Sequence, residues 1–85
     1  MGHKPRQRPK QLPAKLHAIR RKLGLNQPQL AQQLAIDNRR ISELESGRRE
    51  PNLILLLRYA HIAGVCTDVL IDDNVGLEDF WLEPR

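Results

Sequence analysis

The feature that most constrains this chain is a pair of short apolar periods separated by almost nothing. In "NQPQLAQQLAIDNRRISELESG", residues 26–47, Leu30, Ala31 and Leu34 form one helical stripe, and Ile41 and Leu44 form the next. Asn26 is a good N-cap, Pro28 fits a first helical turn, and Gln29 sits where a capping box needs it. Asp37 is placed to cap the second helix, its charge favoured at the positive end of the helix dipole, and Ser46 and Gly47 end it. Each helix is about two turns long and too short to hold alone, so each must be held by packing. Two such helices with a turn of three or four residues between them form a helix-turn-helix.

The second helix carries two kinds of surface. At about 100° per residue, Asp37, Ile41 and Leu44 share one side, while Asn38, Arg39, Ser42 and Glu43 face the other. One side docks the helix and the other offers hydrogen-bonding groups. Arg40 lies at the flank.

The flanking sequence extends the helical reading. Pro13 suits the start of a helix with Leu16, Ile19 and Leu23 on one face, Lys15, Arg21 and Lys22 elsewhere, and Gly24 as its stop. Pro51 and Asn52 introduce "LILLLRYAHIAG", closed by Gly64. Leu53, Leu56, Leu57, Ala60 and Ala63 give its expected core stripe, leaving Ile54, Leu55 and Ile62 as a second apolar face. Thr67 is placed to cap a short fifth helix, "DVLIDD". No repeat or convincing strand pair occurs. The expectation is an all-α fold of five short helices, with a basic, disordered arm over 1–12, a helical domain over 13–73 and an acidic, aromatic tail over 74–85.

Charge is unevenly divided. The net charge is +4, but residues 1–49 carry +9 and residues 50–85 carry −5, and no acid precedes Asp37. A molecule polarised in this way presents its basic side to a polyanion. Within the arm, Lys4, Arg6, Arg8 and Lys10 alternate with prolines and glutamines and offer almost nothing to bury. The 85 residues provide for one domain. With Cys66 as the only cysteine, no internal disulfide can form, which fits a reducing cytoplasm. The N-terminus lacks the apolar stretch of a secretory signal, and no run approaches the roughly 20 apolar residues of a membrane span. His3, His17 and His61 stand without metal-ligand spacing. No pairing of nucleophile with base and no glycine-rich phosphate loop occurs, so neither an enzyme nor a cofactor is expected.

The phrases "LHAIRRKLGLNQPQLAQQLAI", "RRISELESGRREPNL" and "LLRYAHIAGV" resemble the phage-repressor class of helix-turn-helix proteins, the Cro/C1-type or XRE family. The resemblance runs from about Leu16 to Ile71. It implies a lambda-repressor-like DNA-binding domain whose recognition helix, Asn38 to Ser46, lies in the major groove of double-stranded DNA. On that basis Arg39 has the chemistry for a bidentate pair with guanine and Asn38 for one with adenine. Ser42 suits several contacts; Glu43 either accepts from cytosine or repels phosphate. Gln27, Arg40, Arg48 and Arg49 are expected on phosphates, and Arg20 with Glu45 matches a structural ion pair of the family. The sequence departs from the family's habits where Ala35 replaces the usual turn glycine, and where Ile54 and Leu55 replace polar residues.

Three functions compete at this point: a dimeric repressor, an antitoxin-like or controller regulator that also binds a protein partner, and an interaction module without DNA binding. The arginines at 39, 40, 48 and 49 disfavour the last. Ile54, Leu55 and Ile62, together with Phe80, Trp81 and Leu82 in the tail, are expected to cover one another, in a homodimer in preference to a lid within one chain.

Overall fold

The computed structural model describes residues 9–77. Over these the chain forms five helices and no strand: α1 (Leu12–Lys22), α2 (Gln27–Leu34), α3 (Asn38–Ser46), α4 (Leu53–Ala63) and α5 (Thr67–Ile71). Over the described residues the fold is all-α. Helix α2 packs chiefly on α3, α1 lies against α3, and α4 and α5 close the other side of α1.

Helix α2 starts with a complete capping box. The Asn26 side chain accepts from the Gln29 amide and the Gln29 side chain accepts from the Asn26 amide, each at 2.8 Å. Its C-terminus turns at Ala35, the one described non-glycine residue with positive φ (φ 58°, ψ 44°). There the Ala35 amide donates to the Gln32 carbonyl and the Ile36 amide to the Ala31 carbonyl. These two bonds satisfy carbonyls the helix would otherwise leave unpaired. Two residues then suffice to reach Asp37 and begin α3. Asp37 stands at the N-cap, but its side chain makes no capping hydrogen bond.

Leu16, Ile19, Leu30, Leu34, Ile41, Leu44, Tyr59 and Leu70 are fully buried and form the centre of the core. Burying a leucine or isoleucine of this kind contributes about 1.5–3 kcal/mol. That is enough for a shared core to hold five helices that would each be marginal in water. Ala31 is buried between α2 and its neighbours, where its small side chain permits close approach.

The first and fourth helices bury different faces from those the apolar count suggests. Helix α1 begins at Leu12, not Pro13, and buries Leu12, Lys15, Leu16 and Ile19, while Leu23 is exposed. Lys15 is tolerated inside because its ammonium donates to the carbonyls of Val69 (2.7 Å) and Asp72 (2.8 Å), at the negative end of α5. In α4 the buried residues are Leu55, Leu56, Tyr59 and Ala60, while Leu53, Ile54 and Leu57 are exposed. Leu55 therefore belongs to the core and cannot form a second face; Ile62 is half-buried and packed on the core. The apolar run 53–57 has no polar member to set its phase. Arg58 and His61, both exposed, set it: the core lies opposite them. Helix α5 has Cys66 at its N-cap position, without a side-chain capping bond, and Thr67 is its first residue instead of its cap.

Candidate nucleic-acid interface

Ile41 and Leu44 anchor α3 in the core, and this anchoring determines what the helix shows to solvent. Asn38, Arg39 and Ser42 are exposed, Arg40 and Glu43 are half-buried, and Arg48 and Arg49 are exposed in the loop beyond. Asp37, Arg39, Arg40, Glu43 and Arg49 border one shallow depression of about 310 Å³. The guanidinium of Arg49 donates to Glu43 (Nε–Oε1 2.9 Å), which draws the loop arginine toward the helix face. The Arg40 Nε is shut away from solvent with no hydrogen-bond partner among the described residues.

The loop's course follows from the end of α3. Gly47 takes φ 83°, ψ 3°, a left-handed conformation costly for any residue with a Cβ. The amides of Arg48 (3.0 Å) and Arg49 (3.2 Å) then both donate to the Glu43 carbonyl. A Cβ at position 47 would also stand 3.4 Å from the Pro13 ring, where the start of α1 meets the end of α3. The two loop arginines are thus held beside α3 by backbone geometry.

A polar joint fixes α3 relative to α1 and α2. Arg20 donates to Glu45 twice, Nε to Oε2 at 2.8 Å and a terminal nitrogen to Oε1 at 3.1 Å, and once to the Leu25 carbonyl at 3.1 Å. Gln27, the first residue of α2, donates to Glu45 Oε1 at 3.3 Å. The hydrogen bond from Arg20 to Glu45 holds the guanidinium more firmly charged than usual, against the opposing effect of burial. A forked, partly buried pair of this kind sets orientation as well as charge. Beside it the Tyr59 hydroxyl is buried with no hydrogen-bond partner among the described residues; burial, with the nearby Glu45 carboxylate, pushes its pKa up.

Of the arm's basic residues, Lys4, Arg6 and Arg8 lie outside the described residues, as do Phe80, Trp81 and Leu82 of the tail. Lys10 is described and exposed.

Three side chains with long-range roles escape a reading of the sequence. Arg58 donates to the Leu34 carbonyl at 3.0 Å and closes the end of α2 just before the turn. Lys15 closes α5. Asp73 accepts from two backbone amides of the N-terminal segment, 62 and 63 residues earlier. The available signals are weak: one cation in an apolar helix, one lysine three residues from a leucine, and no local cue for Asp73.

The helix-turn-helix family profile matches residues 16–70. Among solved structures, the clp gene regulator ClgR from C. glutamicum is 32% identical, with a TM-score of 0.62 over 85% of this chain and 91% of that one. The chain belongs to the Cro/C1-type helix-turn-helix family. The P22 c2 repressor, solved in complex with synthetic operator 9T, is 27% identical, with a TM-score of 0.68 over 73% of this chain and 94% of that one. No curated protein sequence matches. Within this Cro/C1-type domain, α2 and α3 are the helix-turn-helix, with Ala35 in its turn. Among the described residues no helix is long and apolar enough to cross a membrane, and no group of three or more His, Cys, Asp or Glu is placed to hold a metal ion.

Proposed function

We propose that this protein is a sequence-specific double-stranded DNA-binding transcriptional regulator, acting as a homodimeric repressor in the cytoplasm. The observation that carries the reading is the two-sided α3. Ile41 and Leu44 lock it into the core while Asn38, Arg39 and Ser42 stand exposed together at its N-terminal half. The P22 c2 repressor, a similar chain, was solved on operator DNA.

In this reading α3 enters the major groove. Arg39 pairs with guanine through two donors, Asn38 with adenine, and Ser42 contacts a neighbouring base. Glu43 has two uses. Its exposed pair with Arg49 is worth at most about 1 kcal/mol, whereas a good base contact contributes about 1–3 kcal/mol. A cytosine presented to Glu43 therefore outcompetes Arg49, which is released to a phosphate. Gln27, Arg40 and Arg48 also take phosphates, with Gln27 aided by the amides at the start of α2. Lys4, Arg6, Arg8 and Lys10 add sequence-independent attraction along the DNA backbone.

One α3 reads few bases, and two half-sites about one helical turn apart need two copies. Leu53, Ile54, Leu57 and Ile71 are exposed on adjoining parts of α4 and α5 and supply the apolar surface for pairing. The same patch supports the second reading, an antitoxin-like or controller regulator that covers it with a different protein. Bound on its operator, the dimer represses by occupying the site and excluding polymerase.

The test is Arg39→Ala. Specific binding should weaken by about 1–3 kcal/mol and the preference at one base position should relax, read by binding to a panel of single-base operator variants. An unchanged preference at every position refutes base reading by Arg39.

A further inference from the structure

Two arginine–glutamate pairs involve α3, and they are built differently. Arg20 and Glu45 form the forked joint, with two nitrogen–oxygen bonds and the Arg20 side chain only 15% exposed. Arg49 and Glu43 share a single bond, Nε to Oε1 at 2.9 Å, and the Arg49 side chain is 54% exposed. A fork shielded from water holds its geometry, whereas a single exposed pair contributes little and exchanges partners readily. The first pair is a fixed joint; the second is a latch.

The loop that carries the latch does not depend on it. Glu43 also holds the loop through its backbone: its carbonyl accepts the amides of Arg48 at 3.0 Å and Arg49 at 3.2 Å. Loss of the Glu43 carboxylate therefore frees the Arg49 guanidinium and leaves the loop backbone in place. The freed group stands at the depression that it borders with Asp37, Arg39, Arg40 and Glu43. So long as the pair holds, Glu43 cancels the Arg49 charge toward DNA. Base edges differ in what they offer this carboxylate. In the major groove cytosine presents an amino donor with no acceptor beside it; guanine presents two acceptors, and adenine and thymine present one each. An acceptor edge repels Glu43 and leaves it on Arg49. A cytosine engages Glu43 and releases the arginine.

We infer that the Glu43–Arg49 pair is a specificity latch: on unmatched DNA Glu43 withholds the charge of Arg49 from the phosphates, and only a matching base releases it. This deepens the reading of α3 as a base-reading helix and rests on it. Reading a base and gripping the backbone are thereby coupled, so Glu43 acts chiefly by lowering affinity for the wrong sequences. Independent charges behave otherwise: an acid then weakens, and an arginine strengthens, binding to every duplex by the same factor.

The experiment titrates the full chain as wild type, Glu43→Gln, Arg49→Gln and the double variant with two probes over a range of salt concentrations. One probe is a mixed-sequence duplex; the other is the duplex that the wild type selects from a random pool. Glu43→Ala is run beside Glu43→Gln, because a glutamine amide still accepts a hydrogen bond. Each additional phosphate that the protein neutralises steepens the slope of log K against log salt by about 0.9. On the mixed duplex, Arg49→Gln should change affinity and slope little, because its charge is already withheld. There Glu43→Gln and Glu43→Ala should tighten binding several-fold and steepen the slope by about 0.9, and adding Arg49→Gln should abolish that gain. On the selected duplex, Arg49→Gln should weaken binding several-fold and flatten the slope by about 0.9, and Glu43→Gln should narrow the ratio of selected to mixed affinity. Thermal unfolding checks that each variant keeps the wild-type fold. Effects of the two substitutions that simply add on the mixed duplex, or an Arg49→Gln loss of equal size on both duplexes, overturn the latch. A wild type that binds no duplex, or that selects no sequence, overturns the base-reading account of α3 instead.

Discussion

Ala35 holds a left-handed conformation that glycine adopts freely, and its amide and that of Ile36 complete the end of α2. For an L-residue this conformation costs about 1–2 kcal/mol. Glycine avoids that cost but gains freedom in the unfolded chain, which offsets about 0.4–1 kcal/mol. Ala35→Gly should therefore raise stability by about 0.5–1 kcal/mol, a few degrees in Tm for a domain of this size, with DNA binding unchanged. Thermal unfolding followed by circular dichroism reads it, and a lower Tm would mean that the turn is not strained at Ala35. Only the family resemblance marks this position, since Ala35 stands where the family usually has a turn glycine. Asp37 is also legible as an N-cap by position, but not that its side chain leaves the cap unmade. Lys15 and Asp73 are not legible as partners at all. Their acceptors and donors are backbone groups more than fifty residues away in sequence, and no local pattern encodes such a meeting.

At the level of elements, local chemistry is a good guide wherever polar residues punctuate the chain. The caps at Asn26 and Asn52, the stops at Gly24, Gly47 and Gly64, and the docking side of α3 all follow from residue type and spacing. Helix α4 defeats the apolar count because five successive apolar residues carry no phase. Counting leucines places Leu53 and Leu57 inside and Leu55 outside, whereas Arg58, His61 and the burial of Tyr59 orient the helix the other way. The correction moves the proposed pairing surface. Leu53, 82% exposed, and Ile54, 61% exposed, now stand at its centre. Leu53→Glu with Ile54→Glu should convert a dimer into a monomer in analytical sedimentation and weaken operator binding, with little loss of helical signal, because neither side chain supports the core. A wild-type chain that sediments as a monomer at high micromolar concentration would leave this face to another partner.

Across the whole molecule, charge and fold divide the same chain in related ways. The basic first part supplies α1, α2, α3 and the arginine loop, and the more acidic remainder supplies α4, α5 and Asp73. The polar joint of Arg20, Glu45 and Gln27 holds α3 against α1 and α2, so its exposed side chains are presented as a set from a rigid base. The helix-turn-helix and the family resemblance are visible in residue types and spacing; the bonds from Lys10 and Gln11 to Asp73 and the buried face of α4 are not, because both depend on how distant segments meet. The central claim is that α3 reads base sequence. Selection of bound duplexes from a random DNA pool by the full chain tests it most directly. Sequence-specific reading by a dimer predicts an enriched pseudo-palindrome, with half-sites about one helical turn apart and affinity well above that for the unselected pool. A pool that binds in a salt-dependent way but returns no enriched sequence would contradict it.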